Sequence, residues 1–90
     1  MNTYISLSSL AMDLDRVSLG LYRKSYKMAD RFTQEALKRK KEIDTRKVKP
    51  YVAKLLDDME RSLQSRDYVR KAEDALMYST LFQNAALKSK

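Results

Sequence analysis

The sequence contains no cysteine and no histidine, and it has one glycine and one proline among its 90 residues. The missing thiol and imidazole groups exclude disulfide frameworks, thiolate or imidazole metal sites, and catalysis by cysteine or histidine. So little glycine and proline leaves almost no turn chemistry, and a sheet with several hairpins is therefore not expected. The hydrophobic fraction of 43% is still enough for a folded core, and the length predicts a single domain over residues 1–90.

Long apolar runs are missing as well. The sequence has no segment of about 18 consecutive apolar residues, which is the length that a membrane-spanning helix needs. The N-terminal segment lacks the basic region of a secretory signal, and Asp13 and Asp15 interrupt its apolar residues. We therefore expect a cytoplasmic protein that does not bind a membrane.

Acidic side chains are in the minority. There are 19 lysines and arginines against 12 aspartates and glutamates, which gives a formal net charge of +7. The excess is concentrated in residues 31–50, which carry eight basic and three acidic side chains. Such a basic protein attracts polyanions or an acidic partner surface.

Apolar residues recur with the period of an α-helix along the first half of the chain. The main stripe predicts one long helix over about residues 9–42, and it consists of Leu7, Leu10, Leu14, Val17, Leu21, Met28, Phe32 and Ile43. A second apolar group lies on a neighbouring sector and consists of Met12, Leu19, Tyr22, Tyr26 and Leu37. The combined apolar arc is wider than one partner requires, so we expect this helix to contact at least two others.

The second half of the chain predicts two shorter helices. Pro50 suits the first turn of a helix over about residues 50–64. The apolar stripe changes phase after Leu63, and Ser65 is a suitable N-cap, so a further helix is predicted over about residues 67–87. The expected fold is an all-α three-helix bundle. An uninterrupted helix from Pro50 to Leu87, which would make a long helical hairpin, remains an alternative.

The segment from Ala75 to Leu87 has no charged residue, and its apolar side chains surround the helix. Such a helix needs burial on all sides, which favours a homodimer with coiled-coil packing or another protein partner. The predicted interface residues are Leu76, Met77, Tyr78, Leu81, Phe82 and Ala85. The alternative is a C-terminal helix buried in a groove of its own chain, with the polar residues at positions 79, 80, 83 and 84 facing water.

Basic residues share one sector of the long predicted helix, opposite its main apolar stripe. They are Arg16, Arg23, Lys27, Arg31, Lys38 and Lys41. Such a row could follow a phosphate backbone, which makes nucleic-acid binding the alternative function. A solvated helix face has the same composition, and no helix-turn-helix, zinc-finger or RNA-binding sheet motif accompanies the row. Tyr22 and Tyr26 lie outside the basic sector and are assigned to packing.

The carboxylates do not converge in the predicted helices, because Asp57 and Asp58 fall on adjacent sectors that face solvent. We predict no catalytic residue, no metal site, no cofactor and no small-molecule substrate. The predicted function is that of a small non-catalytic helical protein-interaction module, such as an adaptor, a regulator or an assembly chaperone.

Overall fold

The computed structural model describes residues 2–89, which form four helices and no strand. The helices are α1 (Thr3–Tyr22), α2 (Tyr26–Glu42), α3 (Pro50–Leu63) and α4 (Tyr68–Ser89), with a short 3₁₀ helix at Thr45–Lys47. The all-α class is confirmed, whereas the three-helix bundle is wrong, because the segment predicted as one helix over residues 9–42 forms both α1 and α2. Met1 and Lys90, the ends of the predicted domain, lie outside the described residues. Within residues 2–89, no helix combines the length and the apolar composition needed to cross a membrane.

The chain reverses direction between α1 and α2 through a helix-terminating turn at Lys24 and Ser25. The Ser25 N–H donates to the Gly20 carbonyl at 2.7 Å, and the Lys24 N–H donates to the Leu21 carbonyl at 3.1 Å. These two hydrogen bonds define a Schellman motif. Lys24 has a left-handed backbone conformation, with φ of 58°, at the position where glycine is the usual residue. The turn could not be predicted from the sequence, because the position after the helix end where glycine is usual is occupied by Lys24.

The only glycine of the sequence lets α1 and α2 approach closely beside this turn. A Cβ atom at Gly20 would lie 2.9 Å from the backbone nitrogen of Ala29, so the backbone of α2 occupies the space of a side chain. Farther from the turn, the Arg39 Nε donates to the buried carboxylate of Asp13 at 3.0 Å. These two contacts make α1 and α2 an antiparallel helical hairpin.

The second half of the chain follows the predicted boundaries closely. Pro50 occupies the first turn of α3, where its fixed φ is favourable. α3 ends at Leu63 and α4 begins at Tyr68, and in the connection the Asp67 N–H donates to the Ser65 hydroxyl at 3.2 Å. The alternative of one uninterrupted helix after Pro50 is therefore wrong.

α1 is the central helix of the bundle. It packs most extensively against α4 and also against α2, while α3 packs on α4. The expectation that a helix over residues 9–42 contacts two others is not met in that form, because one of the two neighbours of α1 is α2, which belongs to the same predicted helix. Small residues bring α1 and α4 together, since the Ser79 hydroxyl donates to the Ala11 carbonyl at 2.9 Å. The large, fully buried core residues are Leu7, Leu10, Leu14, Val17, Leu56, Met59 and Phe82.

Candidate functional site

The residues predicted to bind a second protein lie on α4, but the fold separates them. Phe82 and Ala85 are 0% and 2% exposed and belong to the core of the chain itself. Leu76 and Met77 are 49% and 47% exposed. Phe82 and Ala85 are thus core residues in this fold, because α4 packs closely against α1 where the Ser79 hydroxyl binds the Ala11 carbonyl.

Tyr78 and Leu81 hold an intermediate position and are half-buried. Burial, together with the nearby carboxylates of Asp58 and Asp74, raises the pKa of Tyr78. The Ser62 hydroxyl of α3 donates to the Asp74 carboxylate at 3.0 Å, one turn before Tyr78, so this side of α4 lies next to α3. The inner side of α4 is covered within the chain, as in the alternative considered above, except that Ser79 is buried instead of facing water.

Apolar side chains remain exposed on the outer side of α1 and α4, and we call this surface the apolar strip. Its five members are Ile5, Met12, Leu19, Leu76 and Leu87. The three on α1 are seven residues apart and so share one face of that helix, as do the two on α4, which are eleven residues apart. Each of the five exposes between 40% and 62% of its surface.

The two halves of the apolar strip lie side by side because α1 and α4 run antiparallel. Met12 and Leu87 line the same groove, of about 320 Å³, towards one end of the bundle. Tyr22 and Val69 line the same pocket at the other end. On α1 alone the strip extends about 21 Å, at 1.5 Å per residue. The apolar strip is therefore built by two adjacent helices, which share a groove at Met12 and Leu87.

All six residues of the predicted basic face are exposed, but they do not form one straight row. The turn at Lys24 leaves Arg16 on α1 and Arg23 at its C-terminal cap, while the other four lie on α2. From Lys27 to Lys41 the α2 part extends about 21 Å. None of the six forms an ion pair with a carboxylate in residues 2–89. Their charges are therefore available to an anionic ligand.

Phe32 joins the two parts of the basic face. The guanidinium carbon of Arg16 lies 5.2 Å from the centroid of the Phe32 ring, and that of Arg31 lies 5.6 Å from it. Both distances fall within the ~6 Å range of cation–π attraction. An arginine of α1 and an arginine of α2 thus meet at one ring, and the basic surface continues across the hairpin.

The basic run at residues 38–41 separates into paired and free side chains. Arg39 binds the carboxylate of Asp13 at 3.0 Å, and the Lys40 Nζ lies 3.3 Å from Asp57 and 3.5 Å from Glu60. These ion pairs join α2 to α1 and α3, so Arg39 and Lys40 have structural roles. The other two lysines of the run face solvent.

Three tyrosines surround the turn between α1 and α2. Tyr22, Tyr26 and Tyr68 are 57%, 43% and 51% exposed, and the rings of Tyr26 and Tyr68 lie 5.0 Å apart. All three line a pocket of about 210 Å³ that Lys24 also lines. A straight helix would hold Tyr22 and Tyr26 away from the basic residues, but the turn places them beside Lys24.

Two buried polar groups lie apart from these surfaces. Burial lowers the pKa of Lys71, and the negative charge of Asp30 opposes this effect. The hydroxyl of Thr33 is buried without a hydrogen-bond partner. In the part of the chain that the structure describes, no three acidic side chains converge to hold a metal ion.

No protein-family model, no curated protein and no solved structure matches this chain.

Proposed function

We propose that the protein is a non-catalytic binding module that forms a homodimer through the apolar strip. The observation that carries this proposal is the alignment of five large apolar side chains, each about half exposed, on two adjacent helices. Single exposed apolar residues are ordinary on monomers, whereas several that share one face of adjacent helices favour a binding surface. An adaptor, a regulator or an assembly chaperone would each use such a surface.

The pattern of the strip favours a second copy of the chain as its partner. Ile5 and Leu19 lie at equal distances on either side of Met12. Two antiparallel copies of α1 would therefore place Met12 opposite itself and Ile5 opposite Leu19, which is the self-complementarity that a two-fold interface requires. Arg16 is the free cation beside the strip on α1, and its guanidinium is directed to the Phe32 ring of α2, 5.2 Å away. The other five cations of the basic face lie on α2 and at the turn, so two strips can meet without opposing these charges.

A charge placed in the strip tests the proposal. Complete burial of a large apolar side chain contributes about 1.5–3 kcal/mol, so a half-exposed one has about 1 kcal/mol left to gain in a dimer. Leu76→Lys removes this gain from both copies, and we expect the dimer to weaken by about 2 kcal/mol, or about 30-fold in Kd. Sedimentation velocity over a wide range of protein concentration measures this change.

Met77→Lys is the matched control for this experiment. Met77 is next to Leu76 in the sequence and equally exposed, at 47% against 49%, but it lies on another face of α4. The same charge at this position should leave the dimer unchanged. If both lysine variants weaken the dimer equally, or if Leu76→Lys has no effect, the apolar strip is not the interface.

A further inference from the structure

The tyrosines at the α1–α2 turn lie among cations, and this combination is separate from the apolar strip. We call it the turn-end cluster, and its members are Tyr22, Arg23, Lys24, Tyr26, Lys27 and Tyr68. All six residues are exposed. None of the three cations forms an ion pair with a carboxylate in residues 2–89. The cluster therefore presents aromatic rings and uncompensated positive charge on the same surface.

These groups match the chemistry of a single-stranded nucleic acid. Unpaired bases have flat faces that stack on aromatic rings, and the backbone supplies phosphates for nearby cations. Beside the tyrosines, the pocket has apolar walls formed by Leu21, Val69 and Ala72, which suit the face of a base. A duplex keeps its bases stacked inside the helix, and an acidic peptide supplies carboxylates without flat rings. Both would leave the exposed tyrosines unused.

The outer face of α2 extends the cluster towards the other end of the bundle. Lys27, Arg31 and Lys38 share this face, with axial separations of about 6 and 10 Å. All three are exposed, and Phe32 holds the guanidinium of Arg31. A strand whose bases enter at the turn would thus meet further cations along α2.

We propose that the turn-end cluster binds single-stranded nucleic acid, with its tyrosines stacked on bases and its cations in contact with phosphates. Arg31 and Lys38 extend the phosphate contacts along α2. This site would accept fewer kinds of ligand than the basic row expected from the sequence, because it recognises unpaired bases as well as backbone charge. It does not depend on the homodimer.

Fluorescence anisotropy with a labelled single strand of mixed sequence, and with the duplex of the same sequence, tests this site. With five phosphate contacts, at Arg23, Lys24, Lys27, Arg31 and Lys38, the affinity for the single strand should fall about 130-fold between roughly 50 and 200 mM salt. The single strand should bind more tightly than the duplex. Absence of binding at the lower salt concentration, or binding of the duplex that equals or exceeds binding of the single strand, would overturn the proposal. Displacement of the strand by polyglutamate as readily as by unlabelled oligonucleotide would also overturn it.

Two pairs of variants locate the site. Tyr22→Ala should weaken binding about tenfold through the loss of one stacked base. Tyr51→Ala should leave binding unchanged, because Tyr51 is 44% exposed but lies at the start of α3, away from the cluster. Lys27→Glu should also weaken binding, whereas Lys54→Glu, which reverses an exposed charge on α3, should have much less effect. Circular dichroism checks that each variant is folded, and an equal loss of affinity within either pair would place the site elsewhere.

Discussion

Replacing Gly20 with alanine adds one methyl group where α1 and α2 are closest. The new Cβ would lie 2.9 Å from the backbone nitrogen of Ala29 and 3.2 Å from both the Cα and the Cβ of that residue. Favourable contact between such atoms begins at about 3.5 Å, so the helices must separate by about half an ångström. The nearest obstacle is a main-chain atom within a helix, and no side-chain rotation relieves the clash.

Two effects of Gly20→Ala oppose each other. Alanine is favoured over glycine inside a helix by about 1 kcal/mol, which stabilises the variant. Overpacking of a close contact costs about 1–3 kcal/mol. We take the upper part of that range because Ala29 is 1% exposed and the clash is with backbone. The free energy of unfolding should therefore fall by about 1–2 kcal/mol.

Urea denaturation followed by circular dichroism measures this change. Ser9→Ala is the control, because it improves helix propensity on α1 at a half-buried position and should be neutral or slightly stabilising. In a straight helix over residues 9–42, Gly20→Ala would stabilise the protein in the same way. A Gly20→Ala variant that is more stable than the wild type would therefore refute the close approach of α1 and α2.

Three further substitutions test individual features of the fold in the same urea assay. Lys24→Gly should raise the free energy of unfolding by about 0.5 kcal/mol, because glycine avoids the cost of the left-handed conformation, and this gain exceeds the entropic cost of ordering glycine. A loss of stability would contradict the turn. Arg39→Ala should lower it by about 2 kcal/mol, since the buried carboxylate of Asp13 loses its partner, and a change near zero would show that this ion pair is not structural. Lys71→Met should raise it by about 1 kcal/mol near neutral pH, since the lysine is 7% exposed and burial disfavours its charged form. Because burial lowers the pKa of Lys71 in the native state, the native protein loses this proton before the unfolded chain does, and the advantage of methionine should shrink as the pH rises towards 10.5. An advantage that stays constant with pH would contradict this origin.

The boundaries of α3 and α4 could be predicted because local chemistry marks them. Pro50 can occupy only the first turn of a helix without disruption, and the apolar stripe changes phase after Leu63. The turn at Lys24 has neither mark. Leu21 and Met28, on either side of it, remain in phase, and lysine enters the left-handed conformation at a cost of about 1–2 kcal/mol that the surrounding packing offsets. The apolar periodicity therefore predicted one helix where the structure has two.

The exposed surfaces were harder to predict than the core, because the composition of a helix does not show which side its own chain covers. The uncharged segment of α4 does carry surplus apolar surface, but Phe82 is buried and Leu76 is exposed. Two of the three strip residues on α1, Met12 and Leu19, belong to the second apolar sector of the sequence, whereas Ile5 was not predicted. Tyr22 and Tyr26 of the turn-end cluster belong to the same sector of the sequence, but Tyr68 joins them only when α4 packs against the hairpin.

The molar mass of the wild-type protein in solution tests the proposed homodimer most directly. One chain has a mass of 10.5 kDa. Light scattering over a wide range of concentration should give a mass that rises towards twice this value, while the Leu76→Lys variant stays closer to the mass of one chain. A wild-type mass that remains that of a single chain at the highest concentration would contradict the homodimer.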